Sequence, residues 1–164
     1  MQEWFNWRSW KDRVLKRYRG FESHPFRQGL FNKNSLLKTM KLTLSILPEK
    51  LGICHLAKNN PIPDWVKNLS FCSITRTADE LSITCPQEKI PGGIMAEKDW
   101  RAFKIQGPLG FSLTGIVASL SKPLAEAEIS IFYISTYETD YLLVEEKNLD
   151  KAKKALSELC EIKE

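Results

Sequence analysis

The spacing of apolar residues predicts two helices and a β-hairpin in the C-terminal third of the chain. Apolar positions recur at helical spacing between residues 113 and 124, and Pro123 within that pattern predicts a kink or break near Ser121. Residues 129–135 and 141–144 are rich in β-branched and aromatic side chains, and the polar residues 137–140 between them predict an antiparallel hairpin. The predicted buried faces comprise Leu113, Ile116, Val117, Leu120 and Leu124 on the first helix, and Leu149, Ala152, Leu156 and Leu159 on a second helix with Asn148 as its N-cap.

The middle of the chain repeats this organisation in a weaker form. Short strands are predicted at residues 42–46 and 51–56, followed by a short helix that Asp64 caps and that includes Trp65 and Val66. Residues 69–77 and 81–85 then predict a second hairpin around a turn at 77–80, and the Pro91-Gly92-Gly93 segment is the best linker candidate. Strands and helices in this order predict an α+β fold with helices on one side of each sheet. We expect two units, at residues 40–99 and 100–164.

The first 39 residues, which we call the head, differ in charge from the rest. They hold nine Lys or Arg against three Asp or Glu, whereas the remaining residues hold fifteen against seventeen. Basic residues interleaved with tryptophan are typical of RNA or membrane binding, but no apolar core of a signal peptide is present. The segment from Arg19 to Pro25 can be encoded by GGTTCGAATCC, the T-arm sequence of a transfer RNA gene. We therefore expect residues 1–39 to be a non-native, disordered extension translated from an upstream tRNA gene, with the evolved protein beginning at Met40.

The inventory of reactive residues is poor for an enzyme. His55 is the only histidine after the head, and its neighbour Cys54 would point to the opposite face of a strand. The P-loop, Rossmann, H-E-x-x-H and nucleophile-elbow motifs are absent, and no metal-ligand spacing occurs. The four cysteines form no C-x-x-C pair and are interpreted as small buried thiols in a reducing cytoplasm. We expect no catalytic residue, no metal and no cofactor.

One stretch carries a family resemblance, residues 107–144, which read GPLGFSLTGIVASLSKPLAEAEISIFYISTYETDYLLV. The phrases FSLTGIVASL and ISTYETDYLLV, with SITRTADELSITCP upstream, resemble the ACT domain, and within it bacterial relatives of the CASTOR-type arginine sensors. The resemblance covers residues 40–164. It implies two tandem ferredoxin-like ACT (βαββαβ) units with antiparallel sheets, and a regulatory protein that is not an enzyme.

Two segments form the predicted ligand site. The first is the glycine-marked loop that enters the helix, where free backbone amides favour an α-carboxylate. Ser112 could equally be only a helix cap. The second is the hairpin turn, where the resemblance implies that Asp140 contacts the ligand, although an Asp there could also only stabilise the turn. The predicted ligand-binding residues are Gly110, Phe111, Ser112, Leu113, Thr114, Ser135, Thr136, Tyr137 and Asp140.

Two functions remain open from the sequence. The first is a cytoplasmic regulatory protein that binds a free amino acid, arginine or another α-amino acid. The second is an ACT-fold dimerisation module without a small ligand. Residues 129–135 are apolar on both faces, so one face needs cover from the first unit or from a second chain. We expect a homodimer that binds neither nucleic acid nor membrane.

Overall fold

The computed structural model describes residues 42–109 and 114–163, so the prediction for residues 1–39 lies outside the described residues. In these described ranges, two α-helices lie among eight strands, and three short 3-10 turns connect them. The strands are β1 (Leu42–Ile46), β2 (Leu51–Ala57), β3 (Ser73–Arg76), β4 (Glu80–Pro86), β5 (Met95–Ile105), β6 (Ile131–Ser135), β7 (Asp140–Glu145) and β8 (Cys160–Lys163). The helices are α1 (Ile116–Glu126) and α2 (Leu149–Leu156). The 3-10 turns are Asp64–Val66, Gln87–Lys89 and Glu146–Asn148.

The long strand β5 is the axis of the sheet. On one edge, its second half pairs with β1, which in turn pairs in parallel with β8, and its first half pairs with β2. On its other edge, its second half pairs with β7, so that Trp100 lies between Leu51 and Glu145. The strand β1 therefore completes the C-terminal group of strands, and the predicted unit boundary between residues 99 and 100 falls inside β5.

The helices cover one face of this sheet and confirm the α+β prediction. Helix α1 buries Ile116, Leu120 and Leu124, and α2 buries Leu149, Ala152 and Leu156, as the spacing predicted. They pack on Leu44, Phe103, Ile105, Leu142 and Val144 of the sheet. We call this region, with β1, β6, β7, β8 and the second half of β5, the helix-covered part.

Four details of these helices differ from the predictions. Val117 and Leu159 are 46% and 45% exposed, because Val117 lies at the margin of the buried stripe in the first turn of α1 and Leu159 lies beyond the end of α2. Helix α1 continues unbroken through Pro123 to Glu126. Asn148 occupies the N-cap position, but its amide reaches the Glu145 carboxylate at 3.5 Å and does not cap the helix, because a 3-10 turn leads directly into α2.

The remaining strands, β2, β3, β4 and the first half of β5, form what we call the helix-poor part. In residues 51–94, all of which are described, helical structure is limited to two 3-10 turns. Asp64 makes no capping hydrogen bond and pairs instead with Lys67, with Oδ1 and Nζ 2.7 Å apart, so the predicted cap is wrong. The hairpin is confirmed, although β3 is shorter than the predicted run. The core of the helix-poor part consists of Cys54, Leu56, Val66, Leu81, Ile83, Cys85 and Ile90.

Buried thiols characterise the core of the helix-poor part. Cys54 and Cys85 are almost fully buried, whereas Cys72 is exposed. Burial, reinforced by the nearby Cys54 and Cys72, raises the pKa of the Cys85 thiol from its ordinary 9.0 to about 12. Burial also raises the pKa of Cys54. These thiols are packing residues that stay protonated at neutral pH.

The apolar face of β6 that lacks helices is covered partly by the same chain. Phe132 packs on Trp100 with ring centroids 6.4 Å apart. Phe71, from the segment before β3, packs edge-on against Tyr141 at 4.9 Å. The segment before β3 and the strand β5 thus supply part of the cover that the sequence analysis called for.

Candidate functional site

The two segments predicted to form the site meet in the structure. The amide of Leu109 donates a hydrogen bond to the carbonyl of Glu138, at 2.8 Å. A Cβ atom at Gly107 would lie 2.7 Å from that same carbonyl oxygen, so only glycine fits this approach. The loop after β5 and the β6–β7 turn are therefore held against each other by backbone contacts.

Threonine hydroxyls fix the conformation of the turn. Thr136 donates to the Thr139 carbonyl through its amide at 2.8 Å and through its hydroxyl at 2.6 Å. Thr139 is buried, and its hydroxyl donates to the carbonyl of Ile105 at the end of β5. The turn is thereby anchored to the strand that leads into the loop.

A pocket of about 260 Å³ opens at this junction, which we call the loop–turn pocket. Lys104 and Glu138 provide opposite charges in its wall, and among the described residues neither takes part in an ion pair within 4.0 Å. The Gln106 amide nitrogen donates to the Ser45 hydroxyl at 2.7 Å, which fixes that side chain. The lining residues are Lys104, Gln106, Gly107, Pro108, Glu138 and Thr139. The pocket can therefore offer a cation and an anion to one small zwitterionic molecule.

Asp140 lies beside this pocket but outside its lining. Its Oδ2 accepts a hydrogen bond from the Tyr133 hydroxyl at 2.8 Å. Burial, together with the Asp140 carboxylate, raises the pKa of Tyr133. Because Leu142 two residues on faces the helices, Asp140 points to the helix side of the sheet, whereas Lys104 points to the opposite side from Phe103 and Ile105. One Asp140 oxygen is thus already engaged, and within the described ranges no hydrogen bond is found for the other.

The other predicted site residues are distributed around the same region. Gly110, Phe111, Ser112 and Leu113 lie outside the described residues. Thr114 is exposed directly before Gly115, which has a φ of 84° at the N-cap position of α1. Tyr137 is 80% exposed at the tip of the turn. Thr136 stabilises the turn, and Ser135 lines a different pocket on β6.

Sequence reasoning missed the charged residues of the loop–turn pocket. Lys104 was available from the alternation along β5, because it follows the buried Phe103 and lies three residues before Gly107. For Glu138 the sequence indicates only a place in a polar turn, and no sequence signal shows that its carbonyl approaches the loop after β5. In the described ranges, 42–109 and 114–163, there is no cluster of three metal-ligating side chains. None of the described helices has the length and apolar character needed to cross a membrane.

Comparisons with known proteins identify an ACT domain within the chain. An ACT domain family model matches residues 95–158, and a second family model, for an N-terminal domain, matches residues 49–93. The chain is 35% identical over 98 residues to the human protein named cytosolic arginine sensor for mTORC1 subunit 1. The aligned region makes up 57% of this chain and 30% of that protein, so the chain spans about a third of the length of this curated relative.

Solved structures share the fold of the chain. An Agobacterium tumefaciens protein of known crystal structure is 39% identical in sequence to this chain, and the two structures superpose with a TM-score of 0.71. The superposed region makes up 76% of this chain and 93% of the Agobacterium chain. The crystal structure of aspartokinase alpha and beta subunits, at 15% identity and a TM-score of 0.55, covers 73% of this chain and 98% of that one and shows the shared fold. Residues 95–158 are therefore an ACT domain, and the chain is similar in sequence to the cytosolic arginine sensors.

Proposed function

We propose that this chain is a regulatory protein that binds a free amino acid, arginine or another α-amino acid, and catalyses no reaction. The observation that carries the proposal is the contact between the loop after β5 and the β6–β7 turn, through the 2.8 Å bond from the Leu109 amide to the Glu138 carbonyl. It supports a single site built from both segments. The relatives named as arginine sensors support the ligand class, and their name, cytosolic, supports a cytoplasmic protein.

The charges of the loop–turn pocket complement a zwitterion. The ligand carboxylate would face Lys104 and the backbone amides before α1, and its ammonium would face Glu138. The pocket, about 260 Å³, is smaller than the ~300–1,000 Å³ typical of drug-sized ligands. One amino acid is the size of molecule that it suits.

Asp140 has a second role in the proposal. Its free oxygen would accept from a cationic side chain or from the ammonium of the ligand, while Tyr133 holds the other oxygen in place. A basic side chain would then span from the loop–turn pocket toward the helix side of the sheet. This arrangement favours arginine or lysine over a neutral amino acid.

Thermal unfolding in the presence of each of the twenty amino acids tests the proposal. A ligand at one hundred times its dissociation constant stabilises the folded chain by about 2.7 kcal/mol, which raises the melting temperature by several degrees in a domain of this size. Lys151→Met, on the exposed side of α2, is a control that should keep the full shift. If no amino acid shifts the melting temperature, the chain is instead an ACT-fold interaction module, and size-exclusion chromatography with light scattering should then show the homodimer.

A further inference from the structure

Three of the four cysteines lie close together in the helix-poor part. Cys54 on β2 and Cys85 on β4 are buried in its core, and Cys72 is exposed directly before β3. The Cys85 thiol interacts electrostatically with both of the other thiols, so the three side chains are near neighbours. The fourth cysteine, Cys160, lies in the core of the helix-covered part. We call the first three residues the thiol cluster.

The register of the β3–β4 hairpin places Cys72 opposite Cys85. Ser73 pairs with Thr84, and one step further along the same antiparallel ladder brings the two cysteines level with each other. Residues that lie directly opposite one another extend from the same face of a sheet, and the face of Cys85 is the core face. Partial burial raises the pKa of the Cys72 thiol, which agrees with this position at the margin of the core.

The hydrogen bonds to β2 show how the backbone of Cys85 is oriented. The Gln87 amide donates to the Lys50 carbonyl at 2.9 Å, so these two residues form a bonded pair. Bonded pairs recur at every second residue of an antiparallel ladder, which makes Cys85 and Gly52 the next one. The N–H and C=O groups of Cys85 therefore point to β2 and away from β3. Toward β3, Cys85 belongs to a pair that is not hydrogen-bonded.

The turn of the hairpin leads to the same result. The Thr77 amide donates to the Glu80 carbonyl at 2.9 Å, and Cys72 with Cys85 is the fifth pair counted from there, which the alternation makes non-bonded. In such a pair the two Cα atoms are about 4.5 Å apart and the side chains are at their closest. Disulfides join Cα atoms that are roughly 4.4–6.8 Å apart. The two thiols are thus placed for a bridge.

The other combinations within the thiol cluster do not fit a disulfide. Cys54 lies opposite Ile83, two residues from Cys85 along β4. The two buried cysteines are therefore diagonal neighbours, with Cα atoms about 7–8 Å apart. Cys54 and Cys72 are separated by the whole of β4, which corresponds to roughly 9–10 Å. Both distances lie beyond the ~7 Å at which a bridge begins to require backbone movement.

We propose that Cys72 and Cys85 are a redox-responsive modification site, at which a low-molecular-weight disulfide such as oxidised glutathione closes a bridge from the start of β3 to the end of β4. The Cys72 sulfur loses its proton, attacks one sulfur of the small disulfide and forms a mixed disulfide, and the first small thiol leaves with a proton. The Cys85 sulfur then loses its proton and attacks the Cys72 sulfur, which releases the second small thiol. Two protein thiols are oxidised, and one small disulfide is reduced to two thiols. The site stays reduced while glutathione is reduced and closes when oxidised glutathione accumulates.

The test incubates the reduced full chain in glutathione redox buffers, blocks the remaining thiols by alkylation and identifies tryptic peptides by mass spectrometry. Because burial raises the pKa of the attacking thiol of the second step, the reaction is run near pH 9.0, the ordinary pKa of a cysteine. Cleavage after Lys67, Arg76 and Lys89 places the two cysteines in peptides 68–76 and 77–89. We expect these peptides to be linked, and the bridge to form roughly tenfold or more readily in the folded chain than in the urea-unfolded chain.

Three variants assign the bridge to its residues. Cys54→Ala removes the other buried thiol and should keep the linked peptides. Cys72→Ser changes an exposed side chain, so it should fold normally and lose the link. In Cys85→Ala the reaction should stop at the mixed disulfide of Cys72 with glutathione.

Any of three results would overturn the proposal. The first is a wild-type chain in which Cys72 ends as a mixed disulfide or as a link between two chains. The second is a bridge that includes Cys54. The third is a bridge that forms equally readily in the folded and the unfolded chain, because the fold would then not place the two thiols for reaction.

Discussion

The helix-covered and helix-poor parts share one strand but are built differently. In the helix-covered part, two amphipathic helices bury a continuous core against the sheet, and its turns are fixed by threonine hydrogen bonds. In the helix-poor part, a small cluster with two buried thiols fills the core, and close packing replaces helices: a Cβ at Gly52 would lie 2.4 Å from the Ile90 side chain. The features of the proposed amino-acid site all lie in the helix-covered part, whereas the helix-poor part extends the sheet along β5 and packs Phe71 on Tyr141 of β7.

The largest expected effect concerns β1, which lies early in the chain but packs in the helix-covered part. Leu44 is fully buried there, so Leu44→Ala should lower the free energy of unfolding by about 2–5 kcal/mol. Ile74→Ala, on the exposed edge strand β3, should cost much less. Urea denaturation measures both changes.

The same experiment tests how independent the two parts are. Leu81, fully buried in the helix-poor part, provides the matching variant Leu81→Ala. Because β5 belongs to both cores, each variant should shift one common transition. Two separate transitions would mean that the parts unfold independently.

The next effect is on ligand affinity. Removing one partner from a charge-assisted hydrogen bond costs roughly 1.5–3 kcal/mol, or about 10- to 150-fold in affinity. Glu138→Gln and Asp140→Asn should each weaken amino-acid binding by that order in calorimetric titrations. Asp140→Asn should leave the fold intact, because the amide oxygen can still accept from Tyr133. Equal affinities for the wild type and Asp140→Asn would remove Asp140 from the site.

A smaller effect distinguishes the two parts by the pH dependence of their contributions to stability. The raised pKa of Cys85 means that the thiol is protonated in the fold at a pH where the unfolded chain loses that proton. Its contribution to stability is complete below pH 9 and is lost as the pH rises toward 12. The pKa of Tyr133 is raised above its ordinary value of 10.0, so its contribution to stability also falls with rising pH, but only above about pH 10.

Urea midpoints between pH 8 and 11 measure these slopes. Cys85→Ala should make the decline between about pH 9 and 10 shallower, whereas Tyr133→Phe should leave that interval unchanged. A wild-type midpoint that stays constant up to pH 11 would show that the buried thiols do not favour their protonated form in this way.

The sequence predicted the helix-covered part better than the rest, and the reasons are physical. The stripes on α1 and α2 are local patterns at helical spacing, so Ile116, Leu120 and Leu156 could be assigned to the core directly. The place of β1 between β5 and β8 depends on pairing between distant residues, such as Ser45 with Lys104 and Lys163. No local pattern encodes that register.

The candidate site shows the same limit. The loop and the turn were identified from glycines and polar residues, but the partners of their side chains depend on which face each residue occupies. Asp140 meets Tyr133 diagonally across the hairpin, and Lys104 reaches the loop–turn pocket from a strand whose neighbouring residues are core. Charges in a pocket formed by distant segments could be listed from the sequence but not placed.

The smallest expected effect concerns the head. If residues 1–39 are a non-native extension, a chain that starts at Met40 should melt within a few degrees of the full chain, since surface changes are typically worth about 0.5 kcal/mol or less. A large loss of stability would show that the head belongs to the fold. The nucleotide sequence upstream of the Met40 codon would test the tRNA-gene origin separately.

The most direct measurement for the central claim is a titration of the isotope-labelled chain with free arginine, followed residue by residue by NMR. The account predicts saturable shifts at the amides of Lys104, Leu109, Glu138 and Thr139, which surround the loop–turn pocket, and no shift at Cys54 or Ile83 in the helix-poor part. If arginine causes no shift, lysine and the other α-amino acids are titrated in the same way. Saturable shifts confined to the helix-poor part, or no saturable shift with any amino acid, would contradict the account.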